Sequence, residues 1–583
     1  MPRTEVRLHA PRVRVTLHMQ RAPHGERDVV HVDAGQGHAI RQLAEAPQAD
    51  PDPVPAARPC LQQICSAEPI DPGAGGDGGD GGDAPIVALG WAWGKAVVLD
   101  QTGARNAIVP VMDASTAIPG GGTMRSVNPA RPDEIVGEVV TADAVAVAAA
   151  VGRARVAQTA WRELGIIRRG RILRACAEAV ALRADELARL MTLEEGKTLG
   201  EARGEIDGAV ETIHYHAGHA RDADGRTYPS GTPDELVRTL RVPVGVVAVI
   251  TPWNFPVQIP AWKIAPALLW GNAVVWKPSG ETPILSQALA EALAAGGLPD
   301  GVLELVLGEG AAGQALVADP DVAAVTFTGS VPVGRAIAAA ASARGAKVQL
   351  ELGGHNAAIV CADVDPGWAA SIIVGGAMGA TGQKCTATRR VIAVGDAYAP
   401  LLAELIRQTE ALVVGDGMDP ATQIGPLVSE RAKAAVVAAV DAALAEGATV
   451  VARAAAPETG AYYPPTILTG SPDLAICRDE VFGPVTTVLR VASVDEAIAL
   501  ANETAFGLSA TVLTRDERTI RRCIERVDAG VVKANAPTTG TELHVPFGGL
   551  KDSTFPAPRE QNAETVADFF TWTKSAYTRL VPE

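Results

Sequence analysis

The sequence lacks the marks of a membrane protein, a secreted protein and a nucleic-acid-binding protein. Its 583 residues contain no apolar run near the ~20 residues that span a bilayer, and the N-terminus has no apolar segment followed by a cleavage site. Seven cysteines without a repeating spacing do not form a disulfide framework, so a reducing cytosol is predicted. Positive charge is in deficit, because the formal net charge is −16, which argues against nucleic acid or an anionic membrane as the main partner.

The first 110 residues lack lysine before Lys95 and also lack clear hydrophobic periodicity. They hold half of the ten histidines and a glycine–aspartate tract at 73–83, which is typical of a flexible segment. We interpret residues 1–110 as a disordered extension, or as upstream sequence included by a wrongly chosen start codon, with Met112 and Met124 as alternative starts. The other interpretation is a regulatory or metal-binding extension.

From Asn128 onward, strands and amphipathic helices alternate, which is the pattern of a parallel α/β protein. A chain of this length is expected to form several structural units. The sequence predicts helices at 141–160, 166–190 and 194–220, buried strands at 244–250, 273–276 and 322–327, a second alternating region at 356–535 and a terminal strand at 567–580.

Two strand ends carry residues that suit a phosphate and a ribose. The strand at 322–327 continues into Gly329, Ser330 and Gly334 at the start of an alanine-rich helix, whose N-terminal amides and dipole favour a pyrophosphate. This turn departs from the G-x-G-x-x-G fingerprint, so an ordinary strand-turn-helix fits it as well. An earlier strand ends at Lys277, which is either placed to reach ribose hydroxyls or a phosphate, or simply solvated.

Three residues suggest acyl transfer. Asn254 lies between two prolines after a buried strand, so its rigid amide suits an oxyanion hole. Glu351 precedes a glycine pair and is a candidate base, and Cys385 follows a Gly-Gln-Lys approach and is a candidate nucleophile. A thiol attacks as the thiolate, which Lys384 favours if its side chain points there. Taken alone, Asn254 also fits an ordinary turn, and Cys385 a small buried apolar residue.

Together with the strings Glu480-Val-Phe482-Gly-Pro484 and Pro546-Phe-Gly-Gly-Leu-Lys551, these residues occur in the order found in the aldehyde dehydrogenase superfamily, which residues 125–583 resemble. Each motif alone is weak evidence. All six in the same order, namely Asn254, Lys277, Glu351, Cys385 and the two strings, are a specific signal. The resemblance implies an aldehyde dehydrogenase-like α/β fold with a doubly wound cofactor domain, an α/β catalytic domain and a small oligomerisation hairpin. The implied boundaries are 124–225 and 244–352 for the NAD(P)-binding domain, 353–562 for the catalytic domain, and 226–243 and 563–583 for the oligomerisation elements.

The resemblance also implies a role for each motif residue. Cys385 would attack the aldehyde, Asn254 and the Cys385 backbone N–H would stabilise the oxyanion, and the thiohemiacetal would pass hydride to the nicotinamide, leaving a thioester. Glu351 would activate water to hydrolyse this thioester, and the free acid is expected because the family's CoA-acylating branch lacks that glutamate. The residues implied at the cofactor are Thr251, Pro252, Trp253, Lys277, Ser279, Gly280, Gly329, Ser330, Gly334, Leu352, Glu480 and Phe482.

Gly280 bears on the choice between NAD and NADP. NAD-selective relatives place a glutamate there, which accepts a hydrogen bond from the ribose 2′-hydroxyl. Glycine removes both that contact and the repulsion of a 2′-phosphate. We therefore expect NADP to be accepted, alongside NAD, with Glu281 able to restore part of the NAD contact.

Within the superfamily, several strings resemble the α-ketoglutaric semialdehyde (2,5-dioxovalerate) dehydrogenase branch, among them 259–263, 347–351, 382–387, 544–548, 558–561 and 574–578. The expected substrate residues are Gln258, Trp262, Lys384 and His544, with the loop 538–544 over the substrate tunnel. Trp262 stands where succinic semialdehyde dehydrogenases carry a carboxylate-binding arginine, which disfavours that substrate. The alternatives are succinic semialdehyde, an aliphatic, aromatic or betaine-like aldehyde, and a non-catalytic member of the fold.

The expected partners are a small-molecule aldehyde and further copies of this chain, with no nucleic acid and no membrane. The terminal strand 566–580 is expected to add to a neighbouring subunit's sheet, which would make a homodimer or a homotetramer. His214, His216 and His219 are interpreted as a solvated helical face, with no metal site. His355 departs from the lysine that usually follows Glu-Leu-Gly-Gly in the family.

Overall fold

The computed structural model describes residues 121–222, 224–557, 561–579 and Val581, together with the backbone of six strands further upstream. Met1–Pro85 form one compact unit, which contains a three-stranded antiparallel sheet, and Ile86–Glu583 form another, which contains a second such sheet near its start. The strands are Thr4–Ala10, Val13–Gln20 and Val29–Ala34 in the first sheet, and Ala88–Ala92, Lys95–Leu99 and Arg105–Ile108 in the second. These strands occupy part of the extension that the sequence predicts to be disordered; the rest of it, and the alternative start Met112, lie outside the described residues.

Five parallel strands form the first of two large sheets, here called the cofactor sheet. Their order across the sheet is Leu303–Leu305, Ala273–Lys277, Val246–Ile250, Val322–Thr328 and Lys347–Glu351. Valine and isoleucine are frequent in the central strands, and every residue of Val246–Ile250 and Ala273–Lys277 is buried, as expected where helices cover both faces of a parallel sheet. Because the strands run in one direction, the segments that follow them meet along one edge of the sheet.

Eight helices accompany the cofactor sheet, and two of the predicted helices differ in their bounds. The predicted helix 166–190 is interrupted at Arg183, whose backbone (φ −106°, ψ 12°) leaves the helical region. The helix predicted to begin at 194 begins at Leu199, where Thr198 and Glu201 form a capping box. The helices are Ala144–Glu163, Ile166–Leu182, Ala184–Glu195, Leu199–Gly218, Gln258–Leu269, Pro283–Ala295, Gly310–Ala318 and Val331–Ala343.

Seven strands form the second large sheet, here called the catalytic sheet. Their order is Thr449–Arg453, Thr466–Thr469, Val485–Val491, Thr388–Val394, Asn356–Val360, Ser509–Leu513 and Val531–Ala534, and only the first pair is antiparallel. Its helices are Pro366–Met378, Tyr398–Glu410, Glu430–Ala445, Val494–Asn502 and Glu517–Arg526. Two layered α/β units, one on each sheet, confirm the predicted fold class.

A third sheet corrects one expectation about the C-terminus. Thr571–Arg579 pairs antiparallel with Glu235–Pro243 of the same chain over nine positions, and Thr227–Tyr228 pairs with the other edge of Glu235–Pro243. The terminal strand therefore belongs first to the sheet of its own chain, and it begins after a short helix at Ala567–Phe570. Only its second edge is left for a neighbouring subunit, so addition to a neighbour's sheet stays a prediction.

The smaller elements complete the described part of the chain. Thr123–Val127 pairs with Ile135–Val140, and Phe506–Gly507 pairs with Leu550–Lys551. The 3-10 helices are His219–Arg221, Gly379–Gly382, Gly395–Ala397, Ala475–Cys477 and Glu564–Val566. Every helix among the described residues is too short or too polar to cross a bilayer.

The predicted solvated histidine face is wrong for one of its three members. His216 is only 2% exposed, and burial lowers its pKa to about 3. His214 and His219 are half-buried. The helix Leu199–Gly218 packs against helices on more than one side, so a polar residue on it is not necessarily at the surface.

Candidate active site

Cys385 and Glu351 line one cavity of about 390 Å³. The cavity lies where the last strand of the cofactor sheet meets the segment that leads into the catalytic sheet. Three of the four predicted substrate residues, Gln258, Trp262 and Lys384, line it as well. The fold thus brings the predicted nucleophile and base, far apart in the sequence, to the wall of the same cavity.

Cys385 follows the 3-10 helix Gly379–Gly382 and precedes a central strand of the catalytic sheet. Its carbonyl oxygen accepts a hydrogen bond of 2.8 Å from Asn356 Nδ2. Gly354 packs against the same carbonyl, since a Cβ at that position would lie 2.3 Å from the oxygen. These contacts hold the backbone of the nucleophile from behind and leave its thiol on the cavity side.

The thiol of Cys385 is a weak acid in this environment. Burial, and then the nearby carboxylates of Glu480 and Glu351, raise its pKa to about 12. The expectation that Lys384 favours the thiolate is therefore not supported, and a base must take the thiol proton when Cys385 attacks.

Asn254 is held at the end of strand Val246–Ile250 by both its side chain and its backbone. It is 5% exposed, and its Nδ2 donates to the carbonyl oxygen of Gln383 at 2.9 Å. Because an amide nitrogen carries two hydrogens, one remains for an oxyanion. This bond fixes the Asn254 amide against the backbone of Gln383, which lies two residues before Cys385 in the chain.

A buried ion pair beside Asn254 was not predicted from the sequence. Lys197 Nζ lies 2.6 Å from Glu205 Oε2 and donates to the Asn254 carbonyl at 2.8 Å. Glu205 Oε1 accepts from the backbone N–H groups of Val257 and Gln258 at 2.9 and 3.1 Å. Charged residues near 194–205 look like a solvated helix surface in the sequence, and nothing in their spacing predicts that two of them pair in the interior.

Glu351 ends the last strand of the cofactor sheet and is 1% exposed. Behind it, Lys263 Nζ donates to Thr326 Oγ1 at 2.8 Å, and Thr326 Oγ1 donates to Gln349 Oε1 at 2.7 Å. Burial lowers the pKa of Lys263 to about 7, which the Glu351 carboxylate opposes. The base thus lies beside a buried polar network.

The predicted phosphate and ribose residues follow the strands of the cofactor sheet at one edge. Lys277 is buried, and its Nζ donates to the Pro278 carbonyl at 2.8 Å. Ser330 precedes the helix Val331–Ala343, and its hydroxyl makes no capping bond within the described structure. Gly334 packs on Leu352, since a Cβ there would lie 2.5 Å from a Leu352 methyl group.

Two further predicted cofactor residues come from the catalytic unit. Glu480 Oε1 accepts from the Gly354 N–H at 3.0 Å, and burial raises its pKa. The Phe482 ring meets the Trp253 ring edge-on, with centroids 5.5 Å apart. An ammonium group, helix N-terminal amides and a carboxylate are a donor set that fits the phosphates and ribose hydroxyls of a dinucleotide.

The surroundings of Gly280 modify the expectation about the adenosine ribose. A Cβ at Gly280 would lie 2.5 Å from Glu309 Oε1, so a carboxylate already stands beside this glycine. Glu281, which was expected to restore the NAD contact, instead pairs with Arg431 at 2.6 Å. Glu309 is thus the carboxylate next to Gly280, and nothing in its sequence position indicated this.

The loop 538–544 forms one wall of the cavity, with one correction. Gly540, Thr541, Glu542 and Leu543 line the cavity, whereas His544 is exposed and does not. The wall formed by the loop ends at the preceding residue, so the substrate role of His544 stays a prediction without support from the cavity lining.

Phe547 completes that wall, with its ring centroid 5.7 Å from that of Trp262. At the start of the loop, Thr538 Oγ1 donates to the Thr386 carbonyl at 2.7 Å. Lys533 Nζ donates to the Thr539 carbonyl at 2.7 Å and also contacts the Gly540 carbonyl. The loop is thus tied to the segment that carries Cys385.

His355, the departure from the family pattern, is a buried neutral histidine. Its Nε2 lies 3.1 Å from the Ile476 carbonyl, and its ring stacks on Phe506 with centroids 6.5 Å apart. Burial, and then the positive charge of Arg390, lower its pKa to about 3. His355 does not line the cavity, so it supports the backbone after Glu351 and has no contact with the reacting groups.

Comparison with known proteins agrees with this geometry. The aldehyde dehydrogenase family profile matches residues 118–576. The α-ketoglutarate semialdehyde dehydrogenase of Haloferax volcanii is 43% identical over 78% of this chain and 96% of its own. The α-ketoglutaric semialdehyde dehydrogenase of Bacillus subtilis is 41% identical over 79% of this chain and 95% of its own.

Solved structures match the same part of the chain. The betaine aldehyde dehydrogenase of Staphylococcus aureus, solved in complex with NAD⁺, has a TM-score of 0.76 at 31% identity and covers 79% of this chain and 92% of its own. An NAD-dependent aldehyde dehydrogenase of Sinorhizobium meliloti has a TM-score of 0.76 at 37% identity, with the same coverage of 79% and 92%. The chain therefore belongs to the aldehyde dehydrogenase family and is an NAD(P)-dependent aldehyde dehydrogenase.

Proposed function

We propose that this enzyme oxidises α-ketoglutaric semialdehyde to the dicarboxylic acid. The observation that carries the proposal is the cavity of about 390 Å³ at Cys385, in which the side chain of Lys384 is available to an acidic substrate. The two relatives at 41% and 43% identity, both named for this aldehyde, support it. The cavity also carries Trp262 and Phe547, which would pack on the methylene groups of a short aliphatic chain.

In the proposed mechanism, Cys385 forms the covalent bond to the aldehyde carbon. Glu351 lines the same cavity and accepts the thiol proton, which is needed because the pKa of Cys385 is about 12. The second hydrogen of Asn254 Nδ2 and the Cys385 backbone N–H bind the resulting oxyanion, a contribution of about 2.7–4 kcal/mol for one such donor. Bound NAD(P)⁺ supplies the hydride acceptor.

Deacylation needs a base at the thioester, and Glu351 takes that role in the proposal. After Glu351 has released the thiol proton to solvent, its carboxylate removes a proton from a water molecule, which attacks the thioester carbon, and the Cys385 thiolate leaves. Retention of a carboxylate here favours water as the acceptor of the acyl group. The free acid is therefore the proposed product.

The cofactor site supports the acceptance of both dinucleotides. Gly280 brings no carboxylate of its own to the adenosine ribose, while the Glu309 carboxylate beside it would repel a 2′-phosphate and accept from a 2′-hydroxyl. We therefore propose dual use, with NADP accepted. An advantage of NAD over NADP of roughly a hundredfold in kcat/KM, equivalent to about 2.7 kcal/mol, would contradict this proposal.

The proposed setting is a cytosolic homodimer or homotetramer. The described cysteines, Cys176, Cys361, Cys385, Cys477 and Cys523, are all free thiols, which suits a reducing compartment. The second edge of Thr571–Arg579 supports strand addition between subunits. Native mass spectrometry measures the subunit number, and a monomer would contradict the oligomer proposal.

The decisive experiment on the function is a substrate panel with both cofactors. It compares α-ketoglutaric, succinic and glutaric semialdehydes with pentanal, benzaldehyde and betaine aldehyde, by formation of NAD(P)H. The proposal expects the highest kcat/KM for α-ketoglutaric semialdehyde. A clearly higher value for a simple aliphatic aldehyde would reject the substrate, and full activity of Cys385→Ala would reject the mechanism.

A further inference from the structure

The lining of the active-site cavity contains two lysines and no arginine among the described residues. Lys197 is fully engaged, because it pairs with Glu205 at 2.6 Å, donates to the Asn254 carbonyl at 2.8 Å and lies 4.4 Å from the centre of the Phe255 ring. Its ammonium group also lies 3.8 Å from a carboxylate oxygen of Glu195, so Lys197 is committed to groups of the protein. Lys384 is the other lysine, and its contacts are different.

Lys384 forms no ion pair and no hydrogen bond from Nζ with any residue in the described part of the chain. Its ammonium group lies beside Gly379, where a Cβ would be 3.3 Å from Nζ. Burial lowers the pKa of Lys384, which the charge of Glu201 opposes. A half-buried cation without a partner is costly, and an anionic ligand in the cavity would relieve that cost.

The carboxylate nearest to this lysine is already used by the protein. Glu201 Oε1 accepts from the Ala380 N–H at 2.7 Å, and Glu201 Oε2 accepts from the Thr198 N–H at 3.2 Å. Glu201 thus caps its own helix and anchors the segment that leads to Cys385. It raises the pKa of Lys384 from a distance and does not pair with it.

We propose that Lys384 binds the distal carboxylate of the substrate and thereby selects aldehydes with an acidic tail. This inference rests on the proposed function. In a five-carbon semialdehyde, four C–C bonds of about 1.5 Å separate the aldehyde carbon from the carboxyl carbon, a span of roughly 5 Å when extended. Lys384 adjoins Cys385 in the chain and lines the same cavity, so its flexible four-carbon side chain covers distances of that order.

The alternative role for Lys384 is to act on the thiol of Cys385. A lysine beside a catalytic cysteine would lower the pKa of the thiol if it acted on the nucleophile. The pKa of Cys385 is instead raised to about 12, by burial and two carboxylates. Burial and these carboxylates dominate the pKa of the thiol, and the place of Lys384 in the cavity lining assigns its charge to the substrate.

The test compares two five-carbon aldehydes that differ only in charge at the far end, glutaric semialdehyde and pentanal. The measured quantity is the ratio of their kcat/KM values in the full-length enzyme with saturating cofactor. Lys384→Met is expected to lower this ratio roughly 10- to 100-fold, since a hydrogen bond to a charged group is lost. Lys384→Arg keeps the charge and is expected to retain most of the ratio. Lys433→Met removes a lysine outside the cavity lining and should leave the ratio unchanged.

A second measurement is independent of turnover. Glutarate, an unreactive dicarboxylate of the same length, is titrated into each enzyme in a calorimeter, and Lys384→Met and Lys384→Gln are expected to weaken its binding by a similar factor. A ratio within threefold of wild type in both neutral variants, or unchanged glutarate binding, would overturn the role of Lys384. If the wild-type enzyme itself prefers pentanal, the proposed function fails, and the glutarate titration still decides whether Lys384 holds a carboxylate.

Discussion

Replacement of Lys197 by methionine is expected to weaken the fold and the turnover of the enzyme together. Both side chains of the Lys197–Glu205 pair are 2% exposed, and their N–O distance is 2.6 Å. The change removes the donor to the Asn254 carbonyl and leaves the Glu205 charge buried without its nearest cation. The same substitution therefore acts on stability and on Asn254, the residue proposed to bind the oxyanion.

The expected loss of stability is about 3–5 kcal/mol, the range for a buried ion pair that loses one partner. An internal comparison shows why burial sets this value. Arg153 and Glu304 also lie 2.6 Å apart, but the arginine side chain is 48% exposed. A solvent-screened pair of this kind contributes about 0–1 kcal/mol. Arg153→Met is therefore the matched control.

The assay follows urea unfolding and steady-state kinetics of Lys197→Met, Arg153→Met and the double variant Lys197→Met/Glu205→Gln. The double variant removes the uncompensated charge, so it should recover part of the stability lost in the single variant. Turnover should not recover with it, because the donor to Asn254 stays absent. The urea curve gives the fraction of folded enzyme in the absence of denaturant, so kcat is expressed per intact site.

Two results would refute the reasoning. A loss below about 1 kcal/mol in Lys197→Met, equal to that in Arg153→Met, would mean that the pair is solvent-screened like a surface pair. A large loss of stability with an unchanged kcat per intact site would mean that the pair supports the fold without positioning Asn254.

The remaining predictions concern the oxyanion, the cofactor, pH and the substrate loop. Asn254→Ala should lower kcat about 100- to 1,000-fold with little change in the dissociation constant of NAD, and an unchanged kcat would contradict its role. Glu309→Ala should lower the dissociation constant of NADP relative to that of NAD, measured by fluorescence titration, because it removes a negative charge next to Gly280; an unchanged ratio would contradict this. The pKa of His355 falls from 6.5 to about 3 on folding, so only the unfolded chain binds its proton in this window. Stability should therefore fall as pH decreases from 6.5 towards 3, by about 1.4 kcal/mol per unit from this residue, and His355→Gln should lessen the slope of urea-unfolding free energy between pH 7 and pH 5. Lys533→Met should raise KM for the substrate while changing the melting temperature little, since Lys533 holds the Thr539 carbonyl at the start of the cavity wall. Equal KM values for the variant and the wild type would show that the loop needs no such support.

Much of the fold and the chemical core of the site could be predicted from the sequence because both depend on local patterns. Strands such as 246–250 and 273–277 are short apolar runs between helices, and this pattern is typical of strands in a parallel sheet that is covered on both faces. Asn254, Glu351 and Cys385 lie in short motifs whose order along the chain was sufficient for the resemblance. The presence of Glu351 and Cys385 at one cavity, with the Asn254 amide bonded to the Gln383 carbonyl, then follows from strand order.

The misjudged features depend on contacts between distant segments. The break at Arg183 leaves the apolar periodicity intact, so the pattern carries no trace of it. The burial of His216 depends on which faces of its helix are covered. His544 lies outside the cavity lining because the part of the loop that faces the cavity ends at Leu543. The sequence of a loop does not show at which residue it turns away.

By itself, the sequence determined the reaction class: a cysteine, a glutamate and an asparagine in ordered motifs specify aldehyde oxidation through an acyl-enzyme. The tertiary structure alone decided the electrostatics of the cavity, since charge acts through space and burial. It paired Lys197 with Glu205 and placed Glu309 beside Gly280. It also left Lys384 without a partner at the cavity wall, because the fold commits the neighbouring carboxylate of Glu201 to backbone N–H groups.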